Sequence, residues 1–309
     1  MKIITSIEQH DFRPSVATIG FFDGMHCGHR FLVHQVTTLA QERGLESLLI
    51  SFDRHPRQVM QADYRPQLLS PFREKCLLLE QSEADHAVLL HFDLAMSSLS
   101  AYEFMRDVLL KQLHVRVLLI GYDHHFGHGA CDTFEDYVRY GQELGIEVVQ
   151  SCEYQNQGLH VSSSAIRKAL LSGDLDFATQ ALQRYYSLCG TVVHGFHIGS
   201  ALGFPTANVS VDSEEKLIPA DGVYAVWVDL SDGSSYPGML NIGNRPTMDN
   251  GTQTTIEVHL LAFSGSLYGQ QLTVRFVKYL RSEQRFANKG ELVTQLQKDR
   301  IQVEQLLKR

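Results

Sequence analysis

The chain has 309 residues, 44% hydrophobic and 20% charged, with a formal net charge of −8. This predicts two soluble globular domains and argues against a general nucleic-acid binder, which presents a basic face. Five irregularly spaced cysteines (Cys27, Cys76, Cys131, Cys152, Cys189) fit a reducing compartment, and no signal-peptide or membrane-spanning pattern is seen, so the expected location is cytoplasmic, away from membranes.

The first strong signal is Val16–Ile19, an apolar strand that runs into Gly20-Phe21-Phe22-Asp23-Gly24-Met25-His26-Cys27-Gly28-His29. A helix should follow, with Leu32, Val36 and Leu39 on its buried face. A helix N-terminus offers free N–H groups and positive dipole charge, which suit phosphate. Gly24 and Gly28 let a phosphate chain approach the backbone, and His26 and His29 are placed to donate to its oxygens. Adenylyl transfer fits these features, since it needs positioned donors and no nucleophilic side chain. An ordinary strand-to-helix turn with two surface histidines fits the same letters. Zinc does not, because no Cys/His pair elsewhere completes a ligand set.

Further strands are expected at Ser47–Phe52, Ala87–Leu90, Val115–Ile120 and Ile146–Val149. A helix should start at Ser100, whose capping box with Glu103 precedes the apolar Phe104, Val108 and Leu113. Such alternation predicts a parallel, doubly wound α/β sheet with ligands at the strand C-termini. Asp123 lies in a glycine-flanked turn, where it reads as a turn-forming residue or a ligand contact. His124, His125 and His128 crowd one loop without a distant partner and read as solvent-exposed. Ser162 and Ser164 suit N-caps of a helix that carries Ile166, Arg167 and Leu170.

Leu182–Ser187 is the expected linker, and the pattern then changes to closely spaced strands. These are Thr191–Val193, Gly222–Leu230, Tyr236–Ile242, Thr254–Phe263 and Leu272–Leu280, with turns at Asp232-Gly233, Asn250-Gly251 and Ser264-Gly265. Strands without intervening helices predict a small closed barrel. A last helix should open at Asn288 and Glu291 and present Leu292, Leu296, Val303 and Leu307. Thr206 and Asn208 share one side of an extended segment stiffened by Pro205, and their oxygens suit Mg²⁺ with ATP phosphates. Glu257 sits mid-strand between Ile256 and Val258, and pattern alone makes it an exposed strand glutamate. Gly195, Gly199 and Gly203 have phosphate-loop spacing but lack the lysine and hydroxyl of a P-loop.

Taken in order, these motifs resemble those of the bifunctional bacterial riboflavin kinase/FAD synthetases over nearly the whole chain. Gly20–His29 is similar to the nucleotidyltransferase signature, and Ser51-Phe52-Asp53-Arg54-His55-Pro56 to the Phe-x-Pro-His-Pro loop. Gly121–Gly127 is similar to Gly-x-Asp-Phe-x-Phe-Gly, and Val161–Arg167 to the Ser-Ser-Thr-x-Ile-Arg motif. Gly199–Asn208 resembles the kinase segment ending in Gly-Phe-Pro-Thr-Ala-Asn, with Ser200 where an arginine is usual. Gly222–Ala225, Asn241–Thr247, Glu257–His259 and Leu280–Phe286 complete the match, while Ala262 and Ser266 replace two acids.

The resemblance implies a Rossmann-like adenylyltransferase domain over 1–183 and a Greek-key-type β-barrel kinase with a terminal helix over 184–309. ATP would phosphorylate riboflavin to FMN with Mg²⁺, and a second ATP would adenylylate FMN to FAD. Gly20, Phe22, Asp23, Gly24, Gly28, Ser162, Ser163 and Ser164 would line the first nucleotide site, with His26, His29 and Arg167 on the phosphates. His55 would lie near the nucleotide, and Asp123 near the flavin or adenine. In the barrel, Gly203, Pro205 and Thr206 would hold ATP, Thr206 and Asn208 the Mg²⁺, and Glu257 would act as base. Arg281 and Arg285 read as flavin contacts or as surface charge.

Overall fold

The computed structural model describes residues 1–7, 10–61, 63–121, 126–128, 132–154, 160–195, 203–246 and 252–308, with backbone alone at 245–246 and 252–253. Its contacts divide the chain into two compact units, Met1–Ser163 and Ser164–Arg309.

The first unit runs β1 (Lys2–Ile4), β2 (Ser15–Ile19), α1 (Cys27–Arg43), β3 (Glu46–Phe52), α2 (Pro56–Met60), α3 (Phe72–Glu80), β4 (His86–Leu90), α4 (Leu94–Ser98), α5 (Ala101–Glu103), β5 (Val115–Ile120), α6 (Phe134–Leu144) and β6 (Glu147–Gln150). The six strands form one parallel sheet in the order β1-β4-β3-β2-β5-β6. Its near-continuous apolar strands are explained by burial on both faces. Ala17, Ile19, Leu48, Ile50, Val88 and Leu90 face a core with Phe104, Val108, Leu109 and Leu113. Their neighbours Leu49, Ala87 and Leu89 face the other side, against Phe22, Val33 and Leu79. Full burial of each valine, leucine, isoleucine or phenylalanine among them contributes about 1.5–3 kcal/mol.

The five expected strands of this half are present, and β1 adds a short edge strand. On α1 the buried residues are Cys27, Val33, Val36, Thr37 and Ala40, so Leu32 and Leu39 flank the core face half-buried. The Ser100–Glu103 capping box forms as expected. The helix then widens into a π-helical stretch, Phe104–Leu110, which buries Phe104, Met105, Val108 and Leu109. In the sheet, β2 has β3 on one side and β5 on the other. The chain therefore switches direction at β2, and in open α/β sheets ligands bind beyond the C-terminal ends of the strands at such a point. Gly20–His26 occupies that end.

The second unit begins within α7 (Ser163–Leu171) and continues with α8 (Leu175–Leu182), β7 (Tyr186–Val193), β8 (Ala207–Val211), β9 (Gly222–Leu230), β10 (Ser235–Pro246), β11 (Thr252–Leu260), β12 (Gln271–Arg281) and α9 (Lys289–Leu306). The strands close an antiparallel barrel in the order β10-β11-β8-β7-β12-β9. Inside it, Tyr224 is fully buried, donates to the Ala220 carbonyl and meets Phe276 edge-on, at 5.1 Å between ring centroids. Strand β8 is an addition to the expected set. Tyr186 and Ser187, expected in the linker, already belong to β7.

By its contacts α8 packs on the barrel: Lys278 pairs with Asp176, and Ala220 N donates to Leu170 O of α7. The contact division therefore falls at the start of α7 and before α8, whereas the sequence pattern shifts after both helices. The Asp232-Gly233 turn is confirmed, with Gly233 at φ +84° and Asp232 accepting from Ser234 N. The Asn250-Gly251 turn lies outside the described residues. Asn288 caps α9 by accepting from Glu291 N. Leu296, Val303 and Leu307 pack with Phe204, Ala225 and Met239, while Leu292 is half-buried.

Candidate active sites

At the end of β2, Gly20 N donates to Ile50 O at 3.0 Å, and the chain then turns sharply. Phe22 at φ +53°, Gly24 at +81° and Met25 at +40° all lie in the left-handed region. For Phe22 and Met25 that costs on the order of 1 kcal/mol each. Both side chains are buried in the core between the sheet and α1, which offsets the strain.

Asp23 acts as a clamp across the chain. Its carboxylate is buried and accepts from the backbone of Leu69 (3.0 Å) and Ser70 (2.8 Å) and from the Ser70 hydroxyl (3.2 Å). Gly24 N in turn donates to Ser70 Oγ at 2.7 Å, and Ser163 Oγ donates to Asp23 O at 2.9 Å. Ser163, the last residue of the first unit, is thereby tied to the turn.

His26 is the N-cap of α1, with Nδ1 accepting from His29 N at 3.3 Å. An accepting Nδ1 places the proton of the neutral ring on Nε2. The two imidazoles stack at 3.7 Å, and Phe22 meets His29 edge-on at 5.3 Å. Gly28 lies under His26, where a Cβ would come within 3.2 Å of the ring. The expected phosphate cradle, Gly20 to His29, is thus one ordered turn at a helix N-terminus.

Other expected contacts resolve into structural parts. His55 caps α2: its Nδ1 accepts from Arg57 N, and Gln58 reaches back to His55 N. Phe126 is held at both backbone groups by the buried Tyr137 hydroxyl, at 3.0 Å each. At Gly127, with φ +94°, a Cβ would come within 2.6 Å of Ala101 N, leaving no room for a side chain. His128 is exposed, as expected, with its ring on Ser97 O. Asp123, His124 and His125 lie outside the described residues. Ser164 is exposed and Arg167 half-buried on α7.

In the barrel, register does what spacing alone cannot. Glu257 pairs with Asn208 on one side and Asn241 on the other, so the three side chains form a row across β8, β11 and β10. Thr206 Oγ1 donates to Glu257 Oε2 at 3.2 Å. Gly203, at φ +83°, leads into buried Phe204 and into Pro205, whose carbonyl contacts His259 Nδ1 at 2.7 Å. Gly199 and Ser200 lie outside the described residues. Arg281 is directed at α9, with Nε and Nη2 both on Asp299, which is 1% exposed. Its remaining nitrogen donates to Ser282 O, so this guanidinium serves as a latch for α9. Arg285 is exposed.

Sequence reasoning missed Ser70, Lys75, Asn241 and Glu283. Lys75 is 1% exposed, donates to Phe52 O at 2.5 Å and sits 3.9 Å over the Phe21 ring. Asn241 and Glu283 lie inside quoted motifs, but their meeting at 2.9 Å is a tertiary contact.

Comparison with known proteins matches a separate family model to each half of the chain. A family model described as FAD synthetase matches residues 8–165, and one described as riboflavin kinase matches 182–307. A bifunctional riboflavin kinase/FMN adenylyltransferase of Escherichia coli (strain K12) is 36% identical over 97% of this chain and 96% of its own length. The chain belongs to the bifunctional riboflavin kinase/FMN adenylyltransferases. It phosphorylates riboflavin to FMN and adenylylates FMN to FAD, with ATP as the second substrate of both reactions.

A relative of the same name from Pseudomonas fluorescens is 38% identical over 94% of the chain and 93% of its own length. A solved structure named a macrolide-efflux protein, from Streptococcus pneumoniae, shares the fold: TM-score 0.88, 28% identity, 98% of each chain covered. That name describes a different activity. Among the described residues of the present chain, no helix is long and apolar enough to cross a membrane.

Proposed function

We propose that residues 1–183 carry FMN adenylylation and 184–309 riboflavin phosphorylation, with the kinase reaction centred on Glu257. The observation that carries this is the row Asn208–Glu257–Asn241, with Thr206 hydrogen-bonded to its central carboxylate. The riboflavin terminal hydroxyl attacks the γ-phosphorus of ATP, its proton passes to Glu257, and the bond to ADP breaks. Mg²⁺ fits this donor set. A hydroxyl, an amide oxygen and a carboxylate are hard oxygens, and so few protein ligands suit a cation that keeps waters and shares substrate phosphates. Thr206 and Asn208 would hold it, and when bound it would supply charge to the transferring phosphate. Gly203 and Pro205 set the entry of that segment.

In the adenylylation site a phosphate oxygen of FMN is the nucleophile. It attacks the α-phosphorus of ATP, and pyrophosphate leaves with the bonding electrons. His26, through Nε2–H, and His29 donate to the phosphates at the α1 N-terminus, and Gly20, Phe22, Gly24 and Gly28 shape the backbone there. Arg167 and the hydroxyls of Ser162 and Ser164 are assigned to the same phosphates, while Ser163 Oγ is engaged by Asp23 O. Asp123 is assigned to the flavin or adenine side, and Arg285 to an outer flavin contact. Asp23 supports the site by its clamp on Leu69 and Ser70 and needs no phosphate contact. The charge of −8 and the cysteine usage favour a cytoplasmic enzyme of small molecules, acting without nucleic acid or membrane.

The test is a pair of variants. Glu257→Gln should lose FMN formation and keep FMN-to-FAD conversion, and His29→Ala should do the reverse. A Glu257→Gln protein that still phosphorylates riboflavin at the parent rate would refute the assignment.

A further inference from the structure

Just beyond β12, Glu283 reaches the Asn208–Glu257–Asn241 row. Its Oε1 accepts from Asn241 Nδ2 at 2.9 Å, and its carboxylate lies over Gly243, where a Cβ would come within 2.2 Å of Oε1. Gly243 is not among the positive-φ glycines, so backbone conformation places no demand for glycine there. What its missing side chain makes room for is Glu283. Gly195 stands in the same relation to Asn208: its φ is likewise not positive, and a Cβ would come within 2.0 Å of the amide nitrogen. Two glycines with ordinary backbones thus vacate space, one for Asn208 of the row and one for the Glu283 carboxylate that reaches it.

We infer that Glu283 is a positioning residue of the kinase site, holding the Asn241 amide in one orientation beside Glu257. With Nδ2 engaged by Glu283, Asn241 turns Oδ1 away from it, as a fixed acceptor on the face that Glu257 shares. An amide free to rotate would present a donor or an acceptor to that face, and the row would lose its order. The inference rests on the reading of Glu257 as the base.

The test uses the full chain, with FMN formation followed by chromatography, FMN-to-FAD conversion as an internal control, and thermal melting for folding. Glu283→Ala should lower kinase kcat about tenfold or more, because small displacements of positioned groups are costly, while KM for riboflavin and the melting midpoint change little. Glu283→Gln keeps an acceptor oxygen for Asn241 and should recover most of the lost turnover. Gly243→Ala removes no polar group yet should slow the kinase comparably, and combining it with Glu283→Ala should add little.

Kinase turnover within about twofold of the parent in Glu283→Ala would overturn the inference. So would a Glu283→Gln protein as slow as Glu283→Ala. If Gly243→Ala fails to fold, the Glu283 pair decides. Unimpaired turnover in Glu257→Gln would instead remove the reading on which the inference rests.

Discussion

Replacing Asp23 by alanine isolates the support of the adenylylation turn from its chemistry. The carboxylate is 2% exposed and accepts two backbone N–H groups, from Leu69 and Ser70, together with the Ser70 hydroxyl. Hydrogen bonds to a charged acceptor contribute about 1.5–3 kcal/mol each, and buried donors left without a partner cost a similar amount. Ser70 Oγ also accepts from Gly24 N, and its reorientation recovers part of the loss. The net expectation for Asp23→Ala is a loss of about 3–5 kcal/mol in the first unit. For a unit of this size that lowers the unfolding midpoint by roughly 10 °C. Asp23→Asn keeps one acceptor and should lose about half as much. Calorimetry with both activities measured on each protein reads the result: FMN adenylylation should fail at lower temperature, while riboflavin phosphorylation keeps its parent profile. An unchanged midpoint with lost adenylylation would refute the clamp and restore Asp23 as a direct phosphate contact.

Arg281→Met leaves the buried Asp299 carboxylate without its cation and should destabilise the second unit by about 3–5 kcal/mol. Adding Asp299→Leu should recover much of that, and an unchanged midpoint in the single variant would remove the latch. Ala262 has φ +56°, so Ala262→Asn should raise stability by roughly 0.5–1 kcal/mol with kinase rates unchanged, seen as a higher urea midpoint. Gly28→Ala presses on the His26 ring and should slow FMN adenylylation without lowering stability, since alanine favours the helix. Burial pulls the Asp85 carboxyl up, but bonds from the Ser47 amide and hydroxyl outweigh it and hold it below its usual 3.8. A depressed carboxyl stabilises the fold above its unfolded value and loses that contribution as pH falls through the folded one. Acid titration of Asp85→Asn should therefore show a shallower loss of stability below about pH 4 than the parent.

Much of the architecture was readable because its signals are local. The strand at Val16–Ile19, the capping box at Ser100 and the switch to β-branched runs after residue 188 need no partner elsewhere. β1 and β8 escaped notice because β1 is three residues long and β8 carries Asn208 and Ser210 among its five. The π-helical stretch shares its apolar content with an α-helix, so periodicity does not reveal it. Site roles divide in the same way. His26 and His29 meet because the N-cap and the third helical residue of α1 are close in sequence, whereas the partners of Asp23 lie 46 and 47 residues away. Arg281 matched a motif, but its target on α9 depends on tertiary packing. Pattern alone makes Glu257 a surface glutamate and the resemblance alone implies a base, whereas the register that sets Asn208 and Asn241 on either side of it is tertiary.

The most direct test of the account is a chromatographic time course of the purified protein with riboflavin, ATP and Mg²⁺. Two competent sites predict that FMN appears first and is then converted to FAD, with Glu257→Gln blocking the first step alone. Riboflavin left untouched while added FMN becomes FAD would contradict the kinase assignment, and failure of both conversions would contradict the two-site account as a whole.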